Sequence, residues 1–284
     1  MMSTISISSD ANPLALRLSP MMIVAIVILG GWFSVALAAP LIAPYDPDAI
    51  DIGRMLAAPS ATHWFGTDQV GRDVFSRVIY AARVDLFLCV VGVLPSLLIG
   101  TAVGLWSGYF GGLIDSVFMR IYDLTVAFPF FVLVLAIVGV IGPGLVNFII
   151  ALTLVGWVSY ARLVRAEVLT VRESEYVRAT ECLGYPTRAI LFRHVLPNTI
   201  RPVIAYAVSD AVLVMLAGAS FGFLGMGAQP PLAEWGVMIS DGQAFIQQAW
   251  WICLFPGLSA ISLGLGFAFL GDGLGQMQRG EVAA

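Results

Sequence analysis

The chain has 284 residues, 59% hydrophobic and only 11% charged, where a soluble domain carries about a quarter charged residues. A mean hydropathy of +0.92 with long uncharged runs places it among membrane proteins, and a formal net charge of −4 argues against a nucleic-acid partner. All 14 basic residues are arginine. Without lysine the chain cannot build a P-loop ATP site, a Schiff base or a Ser-Lys pair.

Six stretches are apolar over roughly the 20 residues that a helical crossing needs: 21–43, 86–106, 124–141, 145–163, 203–224 and 250–270. Backbone groups in lipid must be satisfied within the segment, so these are predicted helices and the chain all-α. Residues 1–20 form a tail. The first run, with Arg17 before it and Ala-Leu-Ala at 36–38, resembles a secretory signal, but it extends to Ala43. That is longer than a signal core, and a retained helix is preferred.

The connection 44–85 contains an amphipathic stretch. Thr67 or Asp68 can cap a helix with Val70, Val74, Val78 and Ile79 on one side; Arg72, Asp73 and Arg77 then point to water or a partner. In the second span Gly100, Gly104 and Gly108 stand four apart, as do Gly218 and Gly222 in the fifth, a spacing that lets helix backbones approach closely. Pro95 and Pro129 mark kinks inside the second and third spans. Asp123, opening the third span, is expected to pair with Arg120. Asp210 lies well inside the fifth, where pore lining and a structural hydrogen bond are both open; lining the pathway, it would meet a solute's amino group. The 225–249 loop is stiffened by Pro230 and Pro231, and Trp235 is a candidate interfacial anchor. Residues 86–274 thus form a five-helix core, followed by a tail at 275–284.

Arg162, Arg165, Arg172, Arg178, Arg188, Arg193 and Arg201 lie at or between the fourth and fifth spans, whereas the 225–249 loop has none. The positive-inside rule puts the 164–202 connection in the cytoplasm. Six crossings put both termini there too, and the 44–85 loop outside.

Within that connection helix-favouring residues run from Glu167 to Leu183, with Glu175, Arg178 and Glu181 three apart and able to pair. Gly184 supplies a C-terminal stop. Pro186 fits the first turn of a second helix, which ends before Leu196 because Pro197 disfavours helix ahead of it. Two helices around a glycine hinge suit docking into another protein's groove; an ordinary charged loop is the plainer alternative.

This stretch resembles the cytoplasmic loop of permease subunits of bacterial ATP-binding-cassette importers, whose pattern reads Glu-Ala-Ala, three residues, Gly, then Leu-Pro. Here it falls on Arg178, Ala179, Thr180, Gly184, Leu196 and Pro197, with Arg178 in place of the Glu and Thr180 in place of the second Ala. HWFGTDQVGRDVFSRVIYAARVDL (63–86), MRIYDLTVAFP (119–129), GFLGMGAQPPLAEWGVMISDG (222–242) and FPGLSAISLGLGFAFLGDGL (255–274) are similar to the dipeptide/oligopeptide/nickel branch, specifically to the shorter, C-type member of its permease pairs.

The resemblance implies a type I importer permease fold, a second (B-type) permease beside this one, and two cytoplasmic ATPases that bind the ATP and Mg²⁺. It further implies a periplasmic binding protein and a bacterial inner-membrane location. The chain itself would hold no cofactor and catalyse nothing. The loop residues implied to couple to the ATPases are Glu175, Arg178, Ala179, Thr180, Glu181, Gly184, Tyr185, Pro186, Leu196 and Pro197. The implied cargo is a short peptide, with glutathione or a nickel chelate as alternatives in the same family.

Other chemistry finds little support. His63, near Asp68 and Asp73, and His194 lie outside the spans, so no span offers a Ser-His pair for proteolysis, and no zinc motif occurs. Cys89, Cys182 and Cys253 make no disulfide framework. An ion-coupled secondary transporter using Asp210 is the rival transport class; it would need neither ATPases nor the hinged loop.

Overall fold

The computed structural model describes residues 19–279, so Arg17, most of the N-terminal tail and residues 280–284 lie outside it. Among the described residues there are ten α-helices and no strand beyond one isolated bridge between Thr67 and Asp73. Five helical rods are long and apolar enough to cross a membrane, and a bent helix pair that passes the same test together brings the candidate spans to six.

Helix α1 spans Pro20–Ile42, as the first apolar run predicts. Helix α2, Val74–Phe110, runs unbroken for 37 residues, where the sequence suggests a surface helix followed by a span from 86. At 1.5 Å per residue it is about 55 Å long, well beyond the ~30 Å of hydrocarbon, so one rod serves as both. Its N-cap is Asp73, whose Oδ2 accepts the Ser76 N–H at 2.8 Å. Neither Thr67 nor Asp68 caps it. Asp68 instead closes the preceding turn, accepting from the Val70 and Arg72 amides.

Gly111 and Gly112 turn the chain into α3, Gly112–Val126. Pro129 does more than kink the third crossing: it is the N-cap of α4, Phe130–Ile141, which meets α3 at 91°. Asp123 forms no ion pair with Arg120 among the described residues; it is exposed on the surface of α3. Helix α5, Leu145–Arg172, extends past the predicted end at 163.

After α6, Glu175–Cys182, and the short α7, Thr187–Ala189, a π-helical turn at Ile190–Val195 leads into α8, Leu196–Phe223. The predicted stop before Pro197 is absent. The Leu196 N–H donates five residues back to the Leu191 carbonyl, and this wider turn sets Pro197 in the first turn of α8, where its missing N–H costs little. Thr187–Phe223 is therefore one continuous rod. Helices α9, Trp235–Gln243, and α10, Trp251–Arg279, complete the chain.

The glycine stripe of α2 meets α5. A Cβ on Gly100 would lie 2.5 Å from the Trp157 carbonyl, one on Gly104 2.5 Å from that of Ala161, and one on Gly108 3.0 Å from Val168 Cβ. The two backbones touch along this line, as the spacing predicts.

At the far end of α2 a cluster of buried charged side chains at 63–77 anchors the 44–73 segment, whose first part is exposed. Arg77 is 2% exposed and bonds the Pro47 carbonyl and Asp48. Arg72 bridges Asp68 and Asp241. His63 Nε2 accepts from Arg54 at 3.0 Å, so Nδ1 donates to Asp73 at 2.8 Å. With both ring nitrogens used, His63 staples the loop and is not disposed to bind nickel. Arg72, Asp73 and Arg77, expected at the surface, thus face inward because each has a partner there. Trp235 is likewise no interfacial anchor. It is fully buried, with its indole N–H on the Val78 carbonyl at 3.1 Å, and Glu234 caps α9 by accepting from the Gly236 and Val237 amides.

Candidate functional site

The arginine-rich elbow is built on a single buried anchor. In α6 only Val177 is buried; Tyr176, Arg178, Ala179, Glu181 and Cys182 face outward. The helix closes with the Gly184 amide donating to the Glu181 carbonyl at 3.0 Å and the Tyr185 amide to Thr180 at 3.2 Å, a pair that requires a left-handed residue between them. Gly184 supplies it, at φ +75°. A Cβ there would meet nothing within 4 Å, so the demand for glycine is conformational and not one of space.

Pro186 sits one place earlier than predicted, as the N-cap of α7, its carbonyl accepting from Ala189 and Ile190. The Thr180 hydroxyl donates back to the Val177 carbonyl. Ile190, Leu191 and Val195 are buried beneath α6, Leu196 is half-buried and Pro197 exposed.

The expected pairing among Glu175, Arg178 and Glu181 is absent among the described residues. Glu181 instead accepts from the Tyr109 hydroxyl of α2 at 2.9 Å, and Arg172 Nη1 bonds the Tyr109 carbonyl at 2.9 Å. A hydrogen bond to a fixed neighbouring helix is a better partner than an exposed, screened ion pair. Nearby, the Arg165 guanidinium grips the Asp115 carboxylate with two nitrogens, joining α5 to α3. The elbow is thus fixed at its root by three long helices.

Its outer surface is open. Leu183 is 74% exposed at the tip, Tyr176, Tyr185 and Phe192 are also exposed, and so are Arg178, Arg188 and Arg193 in the same segment. Exposed apolar and aromatic side chains with arginines among them are the makings of a protein-docking surface.

Asp210 lies about 21 Å along α8 from Leu196. Its Oδ2 accepts the Tyr160 hydroxyl at 2.8 Å, and it lines a cavity of about 300 Å³ between α2, α4, α5 and α8. Of the two alternatives open at the sequence level, the structural hydrogen bond is present, and the carboxylate also borders this cavity. Tyr160 gives no sequence signal, since its role depends on a contact 50 residues away.

Sequence reasoning also missed a buried acid in α2. Asp85 of α2 is 1% exposed and accepts the Trp235 amide at 3.3 Å beside the Glu234 carboxylate. Burial raises the Glu234 carboxyl above the usual range, against the pull of the Gly236 and Val237 amides and of Asp85, which favour its ionised form.

Residues 100–279 match the family model of the binding-protein-dependent transport system inner membrane component. The chain belongs to this family. The permease is 41% identical over 259 residues to the dipeptide transport system permease protein DppC of Alkalihalophilus pseudofirmus, covering 91% of this chain and 85% of that one. It is 36% identical over 272 residues to the oligopeptide transport system permease protein OppC of Bacillus subtilis, with 95% and 88% covered. Against the glutathione transport system permease protein GsiD of Pectobacterium atrosepticum it is 36% identical over 242 residues, with 85% and 80% covered. The family expectation raised by the elbow and its four companion motifs is met, and with it the reading of a non-catalytic, multi-pass membrane subunit.

Proposed function

We propose that this permease forms, with a second permease subunit, the transmembrane pathway for a short peptide, and that the elbow receives its driving motion from cytoplasmic ATPases. ATP and Mg²⁺ bind to those partners, and a periplasmic binding protein delivers the peptide to the opposite face. The elbow and both termini lie in the cytoplasm. Supporting this are the arginine bias and the relatives named for dipeptides and oligopeptides. A glutathione-named relative is also a peptide permease by chemistry, so glutathione stays within the same class.

The observation that carries the reading is continuity. Thr187–Phe223 is one rod that begins at the elbow and holds Asp210 at the cavity. Movement of α6 reaches the cavity through α8 only if the α6–α7 angle is held, and left-handed Gly184 with the hydrogen bonds of the Gly184 and Tyr185 amides holds it. The partner's nucleotide state then biases a two-state membrane assembly.

The test is reconstitution. Vesicles holding both permeases and the ATPases, with binding protein on the other face, take up dialanine only with ATP, and vesicles holding this chain alone take up none. Uptake by the chain alone would overturn the proposal. Exposed Cys182 reports sidedness: an impermeant maleimide labels it in inverted vesicles and not in right-side-out ones.

A further inference from the structure

Asp210 is the single acidic residue of α8. None of the ion pairs among the described residues involves it, and its one hydrogen bond comes from a neutral hydroxyl, that of Tyr160. A carboxylate inside a membrane-spanning helix is costly unless it faces a cavity or meets a partner. Here it faces the cavity of about 300 Å³, whose wall also carries Ser96, Ser159, Tyr206, Phe130 and Phe131.

That wall has a definite chemical preference. One carboxylate repels anions. With a single carboxylate the wall is a poor match for Ca²⁺, which takes six to eight oxygens, and among the described residues no group of three or more His, Cys, Asp or Glu could hold a metal ion. An organic ammonium is suited: its N–H groups donate to the carboxylate and hydroxyls, and its charge lies favourably against phenyl rings. The volume is at the small end of ligand pockets, enough for the amino end of a short solute rather than a long chain. The bend between α3 and α4 delivers the rings to the site, since Phe130 and Phe131 are the first residues of α4.

We infer that this cavity is an ammonium-recognition station, in which Asp210, oriented by Tyr160, receives the protonated primary amine of a solute in transit. Only the transit depends on the proposed transport function; the recognition is measurable without transport. Asp210 is a binding residue in this account and Tyr160 a positioning residue.

The experiment uses the assembled importer with Ser159→Cys, in a background of Cys89→Ala, Cys182→Ser and Cys253→Ala. Ser159 is exposed on the cavity wall. The thiol introduced at position 159 is treated with 2-aminoethyl methanethiosulfonate, a primary ammonium, and with its 2-sulfonatoethyl counterpart, an anion. Each rate is divided by that for a free thiol in solution. A charged cleft raises the local concentration of counter-ions by tenfold or more, so the ammonium reagent is expected to react at least about tenfold faster. Asp210→Asn brings the ratio near one, and Asp210→Glu keeps most of it.

Equal normalised rates with Asp210 present, a ratio unmoved by Asp210→Asn, or no reaction with either reagent in any nucleotide state would overturn the inference. If the background changes impair assembly, the same ratio is taken in the native-cysteine chain after subtracting the rates without Ser159→Cys. A lost ratio with ATP-driven dialanine uptake intact removes the ammonium station alone. An intact ratio without uptake removes the transport reading alone.

Discussion

Tyr109, in the last turn of α2, donates its hydroxyl to Glu181 of α6 across 2.9 Å. The elbow is therefore tied laterally to α2 as well as joined through the chain to α5 and α8. A net hydrogen bond of this kind contributes about 1 kcal/mol, or roughly fivefold in an equilibrium. Tyr109→Phe should lower ATP-driven uptake by a factor of that order with unchanged protein in the membrane, while Glu181→Gln, which keeps an acceptor, loses less. Equal uptake in wild type and Tyr109→Phe would show that the tie plays no part in coupling.

Gly184 separates conformation from space, because its φ is +75° and no atom crowds a Cβ there. An ordinary side chain in the left-handed region costs about 1–2 kcal/mol, asparagine less. Peptide uptake per ATP hydrolysed should fall in the order Gly, Asn, Ala, Val. A Gly184→Val importer that assembles and couples normally would refute this role.

Gly104 presents the opposite case. A Cβ there falls 2.5 Å from the Ala161 carbonyl and 2.8 Å from Val164 Cβ, so Gly104→Val must push α2 off α5. Overpacking costs about 1–3 kcal/mol. The thermal midpoint of the purified subunit should drop by several degrees, whereas Gly139→Ala, inside α4 with nothing within 4 Å, should hold or raise it. Equal midpoints for the two variants would contradict the close α2–α5 contact.

Asp85 and Glu234 place two buried carboxyls side by side without a cation between them. Glu234 uses both oxygens to cap α9, while Asp85 Oδ1 has no partner. Asp85→Asn keeps an acceptor for the Trp235 amide and leaves no second ionisable group beside Glu234, and should raise the thermal midpoint. Glu234→Gln sets an N–H against an N–H at the cap and should lower it. The reverse order would mean the pair is held by something other than this geometry.

Much of this architecture is legible in the sequence because lipid leaves little choice: an apolar run of sufficient length is a helix, as α1 and α10 illustrate. The elbow is legible for a local reason, since Gly184 ends α6 within its own few residues. What escapes are features that depend on distant partners. Asp85 reads as a polar boundary before a span, yet α2 passes through it because α9 supplies the Trp235 amide. Pro197 reads as a stop, yet a π-turn absorbs it. Tyr160 with Asp210, and Arg165 with Asp115, each meet across 50 residues, and no local pattern announces them. Helix α9 left a weaker trace, an acidic residue directly before its first turn, where negative charge is favoured.

The central claim is that the elbow is the surface through which this permease is driven. Leu183, at its tip and 74% exposed, is the place to ask. With a photo-crosslinking residue at position 183 in the assembled importer, irradiation should yield an adduct with an ATPase subunit whose amount changes between nucleotide-free and ATP-bound states. An adduct with the external binding protein, or with lipid alone in both states, would contradict the account.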